Sequence, residues 1–305
     1  MFKYISPILQ LVVTIFIGFV LARKTDIAKH TASISIAIVN ILIPSVVFRS
    51  QYTSKIQLKD YFAYFGSLVL VFLVGLVVTW SICKALRFDE ARLKSAMLTA
   101  PSNNMGAVGY SIILPFLGEY YGSVAAVAPV LGNLLINISA PMILEAKKGQ
   151  IKEALKKLAK MPIFYALFAG ALFNSLHIEL PAYIFEPINQ LANSTYPMCL
   201  ILIGVQLVIP KNIGKRIDIL VPCAIKLLVM PIIGFVLLKW IVPIGDPYNV
   251  IVFILCGTAS ASSMVALASR SECAENVATI TALDTLLCLA TMPMVLYLSE
   301  VLFPK

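Results

Sequence analysis

The sequence predicts an all-α integral membrane protein with ten transmembrane helices, arranged as two inverted five-helix repeats whose fourth and ninth helices are broken and cross. Composition, the spacing of the apolar runs and a similarity between the two halves of the chain carry this reading. Of 305 residues, 60% are hydrophobic and 13% charged, against roughly 45–50% and about 25% in soluble globular chains. Ten spans of about 20 residues leave roughly 10 residues for each connector. No soluble catalytic domain fits in that space, so an enzyme is not expected. The net charge of +9 does not indicate nucleic acid, because basic residues of a polytopic membrane protein crowd its cytoplasmic loops and face anionic lipid.

Taken in order, the apolar stretches run over about 4–22, 32–49, 61–83, 95–117, 122–144, 162–178, 186–209, 217–242, 249–268 and 276–303. The first is a span rather than a removable signal: only Lys3 precedes it, no small-x-small site closes it, and Arg23-Lys24 follow. The fourth contains Pro101-Ser102-Asn103-Asn104-Met105-Gly106 and the ninth Gly257-Thr258-Ala259-Ser260-Ala261-Ser262-Ser263. Both polar breaks fall near mid-span, which makes Pro101, Gly106 and Gly257 crossover or hinge residues.

Lys and Arg lie mainly in alternate connectors. One side collects Arg23, Lys24, Lys29, Lys84, Arg87, Arg92, Lys94, the six lysines between Lys147 and Lys160, Lys211, Lys215, Arg216 and Arg270. The other has Lys3, Arg49, Lys55, Lys59, Lys239 and Lys305, with Lys226 inside the eighth span. The basic side is expected to be cytoplasmic, in the plasma membrane, with both termini outside. The connector 146–161 carries Ile151, Leu155 and Leu158 at helical spacing among its lysines, the pattern of an amphipathic helix on the inner leaflet. Trp80 and Trp240 suit interfacial positions. Six scattered cysteines without a CxxC pair, and two histidines at loop edges, His30 and His177, indicate neither a disulfide framework nor a metal or cofactor site.

The halves match at a nearly constant offset. Ser139-Ala140-Pro141-Met142-Ile143-Leu144 pairs with Thr291-Met292-Pro293-Met294-Val295-Leu296 at offset 152, Asn40 and Pro44 with Asn193 and Pro197 at 153, and Pro7-Ile8 with Pro162-Ile163 at 155. The repeats are therefore 1–145 and 162–305, joined by the basic linker 146–161. Five spans per half is an odd number, so the second copy enters the membrane from the opposite side. Inverted repeats with a broken helix at the same place in each half are the pattern of secondary transporters.

Several runs resemble the auxin efflux carrier family, which includes plant PIN-FORMED carriers and bacterial malonate-type transporters. They are Pro7 through Gly18, Ala22-Arg23, Val39-Asn40, Ile43-Pro44 and Phe48-Arg49-Ser50; Ala100 to Gly106 with Gly109 and Leu114-Pro115; Met161-Pro162 through Gly170, Leu180-Pro181, Tyr196-Pro197 and Leu202-Ile203-Gly204; and Lys226-Leu227-Leu228 with Pro231. The resemblance spans nearly the whole chain. It implies a fold like that of sodium/proton antiporters and bile-acid symporters, with spans 1, 2, 6 and 7 as scaffold and spans 3–5 and 8–10 as a moving transport domain. It also implies small organic anions, chiefly carboxylates, as substrates, and a homodimer. Two departures stand out. Ser260-Ala261-Ser262-Ser263 replaces the family's usual ninth-span proline, so a softer second break is expected, and Asp284 stands where the family more often has a small hydroxyl residue.

A helix broken at mid-membrane exposes N–H groups at one half-helix end and C=O groups at the other. An anion can be held there without an arginine, and none is expected in a span interior. Asn103 and Asn104 offer amides and Ser102, Ser260, Ser262 and Ser263 hydroxyls, to substrate or to the freed backbone. Asn133 and Asn137, one turn apart, face the same cavity or a neighbouring helix. Asp284 is the only carboxylate well inside a span, which makes it a proton- or cation-coupling group or a paired structural acid; Lys226 is its natural partner, or snorkels to the interface. Asn40 and Asn193, each four residues before a proline (Pro44, Pro197), are placed to repair the kinks those prolines make.

The expected function is secondary transport of a small carboxylate by an elevator-like shift of the crossed helices, driven by the membrane potential or by a proton on Asp284. Two rivals differ in sequence demands. A receptor that keeps a transporter fold is expected to carry a further cytoplasmic domain or a long tail, whereas this chain stops at Lys305, two residues after Phe303. A cation/proton exchanger wants two or more acids near the crossing, and only Asp284 is there.

Overall fold

A computed structural model describes residues 2–53, 58–145, 156, 160–207 and 216–304. Most of the linker, with Ile151, Leu155 and Leu158, lies outside the described residues, so its amphipathic helix stays an expectation. Among the described residues every regular element is helical. Five helices are long and apolar enough to cross a membrane: Ser33–Tyr52, Tyr61–Ala85, Glu119–Leu144, Ile217–Ile241 and Ala274–Leu302. Large apolar side chains stand in the open on these and other helices, including Phe62 (80% exposed), Phe168 (66%) and Trp240 (67%). Such a surface would drive aggregation in water; in hydrocarbon it is the required one.

We number the helices in chain order. α1 (Phe2–Lys24) ends on Arg23 and Lys24, cations at the negative end of the helix dipole. α2 (Ser33–Tyr52) widens into a π turn over Ile38–Leu42 just ahead of Pro44. A proline has no N–H to give the preceding turn, and the wider turn accommodates its ring. α3 (Leu58–Ala85) leads through a tight connector, with Arg87 at φ 57°, to α4 (Glu90–Thr99). Asp89 caps α4 by accepting from the Arg92 N–H at 2.9 Å, and Lys94 pairs with Glu90 at 2.7 Å one turn on. Asp89→Ala is expected to cost about 1 kcal/mol, measurable as a small loss of thermal stability in detergent; no change would mean that water replaces the cap.

The first break covers 100–104, and the chain resumes as α5 (Met105–Leu117), whose first turn is also π. Gly118, at φ 89°, turns it into α6 (Glu119–Leu144). α7 (Pro162–Ser175) and α8 (Ala182–Gln206) follow, α8 with Pro187 and Pro197 inside it. α9 (Ile217–Ile241) has π turns at Ile225–Val229 and Leu237–Ile241. α10 (Tyr248–Cys256) stops at the second break, 257–262, before the short α11 (Ser263–Ala268) and the long α12 (Ala274–Leu302). The second break is as complete as the first although it lacks the proline, which corrects the expectation of a softer one. Hydrogen bonds from its small polar residues hold it open, as described below.

The helices gather into two compact units. One comprises 1–57, 106–131 and 156–207; the other 58–105, 132–155 and 208–305. In the first, α1 and α8 approach at glycines: a Cβ on Gly18 would lie 2.2 Å from the Ile201 carbonyl oxygen, and one on Gly204 2.0 Å from that of Ile15. In the second, the break-flanking helices share a core with α6 and α12, formed by Leu98, Ile136, Ala140, Met264 and Val277.

Candidate functional site

Both breaks lie in the second unit, and they are joined. The Asn104 N–H donates to the Ala259 carbonyl at 2.9 Å, and the Ser260 hydroxyl reaches the Thr99 carbonyl at 3.0 Å. One N–H and one carbonyl freed at the first break thus find partners at the second. Other orphaned carbonyls are met locally: Ser102 Oγ donates to Leu98 at 2.6 Å, Thr258 Oγ1 to Leu255 at 2.7 Å, and Cys288 Sγ to Gly257 at 3.5 Å. Backbone this irregular is tolerated at membrane depth only where such partners, or a cavity, satisfy it.

Each break also holds one charged side chain from an unbroken helix. Lys226 Nζ of α9 donates to Asn103 Oδ1. Asp284 Oδ2 of α12 accepts from the Ser260 hydroxyl, and from its backbone N–H at 3.3 Å. Lys226 and Asp284 are both 0% exposed. The ion pairs among the described residues include neither of them. Lys226 therefore does not pair with Asp284 directly, and its full burial leaves no snorkelling route to the interface. Asp284 Oδ1 is buried with no hydrogen-bond partner, the one carboxylate oxygen among the described side-chain atoms of that kind.

The remaining candidates divide. Asn104 is half-buried beside the break-to-break bond. Asn137 Nδ2 donates to the Asn133 carbonyl at 2.8 Å, so this pair shares one local bond. Ser262 is half-buried and Ser263 exposed. Pro101 and Gly257 belong to this unit, whereas Gly106, the second residue of α5, belongs to the other, where a Cβ would meet Pro129 at 3.4 Å. Asn40 Nδ2 donates to the Ile36 carbonyl at 2.9 Å. Asn193 instead turns its oxygen to Arg49, a residue that sequence reasoning set at the edge of the second span. The helix continues to Tyr52, so Arg49 lies within it. Two asparagines one turn apart on the facing segment, Asn189 and Asn193, were the available signal.

Long apolar helices with polar, mutually bonded breaks and a lysine and an aspartate sealed beside them define a multi-pass membrane protein. Comparison with known families then assigns it. The family described as membrane transport protein matches residues 3–154 and 150–296, and the chain belongs to that family, which is that of the auxin efflux carriers. Its members are membrane transporters rather than enzymes. Comparison with curated proteins finds no match.

Proposed function

We propose that the chain is a secondary transporter that moves a small organic anion, a carboxylate of the auxin or malonate kind, across the plasma membrane by an elevator-type shift. In this reading the ten apolar segments form two inverted five-helix repeats with both termini outside. Spans 1, 2, 6 and 7 form the scaffold, the others carry the substrate, and the protein works as a homodimer. The observation that carries the reading is the Asn104–Ala259 hydrogen bond. Two mid-span breaks more than 150 residues apart in sequence meet there, bringing half-helix ends of opposite partial charge to one place. Asn104, Asn133, Asn137, Ser262 and Ser263 are the substrate contacts, because they keep some exposure; Ser102, Asn103 and Ser260 hold the breaks and the charged residues.

Asp284 is the proton-coupling group. The Ser260 hydroxyl has one proton and two acceptors within reach, the Thr99 carbonyl and Asp284 Oδ2. When Asp284 carries a proton on Oδ2 it donates to Ser260, and Ser260 donates to Thr99. Its Oδ1 is then a neutral carbonyl oxygen, for which a missing donor costs far less than for a carboxylate oxygen. When Asp284 is ionised, Ser260 turns to it and the Thr99 carbonyl, at the end of α4, loses that donor. The proton is thereby felt at the first break.

Uptake into liposomes tests both levels, with labelled small carboxylates, malonate and indole-3-acetate among them, under an imposed membrane potential and, separately, an imposed pH gradient. Accumulation is expected to follow the pH gradient, and to fall about tenfold or more when Asp284 can no longer take a proton. Accumulation driven by potential alone would leave Asp284 a structural residue. Absence of uptake for every carboxylate under both gradients would overturn the transport reading.

A further inference from the structure

A second polar site lies wholly within the first unit. A cavity of about 260 Å³ is lined by Arg49, Ser50, Tyr110, Glu119, Phe185 and Asn189, among others. Arg49 is the one basic residue among its described lining residues, and it is held rather than loose. Its Nη1 donates to Asn189 Oδ1 at 2.8 Å and to Asn193 Oδ1, two amides a turn apart on α8 that share one face. The Tyr110 hydroxyl is a further hydrogen-bonding neighbour.

Those partners are neutral. The ion pairs among the described residues join Lys29 to Asp26, Arg92 to Asp89, Lys94 to Glu90 and Glu272, and Arg216 to Asp218. Arg49 is in none of them, although Glu119 lines the same cavity. A half-buried guanidinium aimed by two amides and in no ion pair among the described residues has N–H donors to spare, in the planar fork that matches a carboxylate. Glu119, unpaired with it and exposed, sets a negative charge in the same cavity. A ligand with one carboxylate gains the guanidinium and is otherwise met by Tyr110 and Phe185. A ligand with two carboxylates brings the second against Glu119.

We propose that this cavity is an anion-capture site, separate from the joined breaks, in which Arg49 binds the carboxylate of a small organic acid and Glu119 rejects dicarboxylates. Arg49 is the binding residue, Glu119 the specificity determinant, and Asn189 and Asn193 position the guanidinium.

Butyrate and succinate, four-carbon acids that differ by one carboxylate, are suitable probes. Their equilibrium binding to the purified full chain in uncharged detergent can be followed by ligand-observed NMR titration with no gradient present, so the result does not depend on transport. Wild type is expected to bind butyrate about tenfold more tightly than succinate, and Arg49→Gln to weaken butyrate about tenfold. Glu119→Gln is expected to tighten succinate until the two acids differ by about threefold or less, with butyrate changed less than about twofold. Glu119 is in none of the ion pairs among the described residues, so this variant decides the matter if Arg49→Gln does not fold. Wild type binding both acids equally or not at all, Arg49→Gln retaining butyrate, or Glu119→Gln keeping the original preference would each overturn the site. None of these results would touch the transport reading, which rests on the joined breaks.

Discussion

Lys226→Met is expected to destabilise the protein by about 3–5 kcal/mol, the order of cost when a buried charge is left with no opposite charge in the same interior. The ammonium is fully buried, and the Asp284 carboxyl group that faces the same interior is fully buried too. Without the lysine, Asp284 has no opposite charge beside it, although Ser260 still donates to it, and Asn103 loses the donor that holds it. Asp284→Asn removes the opposite charge and should cost a similar amount. The double variant Lys226→Met/Asp284→Asn leaves no unmatched charge, and should recover all but about 1–2 kcal/mol of the combined loss. Unfolding in mixed detergent, followed by helical circular dichroism, gives the four corners of this cycle. Losses that simply add would show that the two charges do not interact. A near-neutral Lys226→Met would show that the lysine is solvated. The double variant is also the one to use for the uptake test of proton coupling, since it removes the acid without leaving a lone buried cation.

Gly204→Leu should be as damaging, through packing rather than charge. A Cβ at this position would meet the Ile15 carbonyl oxygen at 2.0 Å and the Phe19 nitrogen at 2.8 Å, and Gly18 faces the Ile201 carbonyl in return. These neighbours are backbone, so no side chain can swing away, and α1 and α8 must separate. Overpacking of this kind costs about 1–3 kcal/mol for small additions, which is the expectation for Gly204→Ala. In a membrane, close helix approach at small residues is itself a main source of association energy, so the leucine variant is expected to lose more than about 3 kcal/mol, or to leave no folded protein in detergent. Wild-type thermal stability in Gly204→Leu would mean that the two helices do not approach as closely as they do here.

Much of the candidate site was legible in the chain. The breaks at Pro101–Gly106 and Gly257–Ser263 showed as polar interruptions of apolar stretches, and Asp284 as the one carboxylate well inside an apolar stretch. Gly18 and Gly204 could be picked out one at a time, but not as reciprocal contacts. Three relations were not legible. Lys226 looked like a partner for Asp284 because opposite charges in hydrocarbon attract, yet its hydrogen bond goes to Asn103. Arg49 looked like the end of a span because it is charged, although the helix carries it another turn among asparagines that offset its cost. The second break looked soft for want of a proline, but Asp284 and the Thr99 carbonyl hold Ser260 in place of one.

The division follows from the range of the forces. Whether a segment can cross hydrocarbon depends on its own side chains and on backbone groups that must bond within the segment. Apolar stretches, interruptions and a lone acid are therefore local properties, and this sequence determined them by itself. Which amide receives a buried ammonium depends on which helices pack together, and Lys226 and Asn103 are 123 residues apart. The same holds for Arg49 and its asparagines, 140 and 144 residues away. Only the packed structure decided those pairings, because a buried polar group takes the partner that packing brings within about 3 Å, whichever one its charge alone would favour.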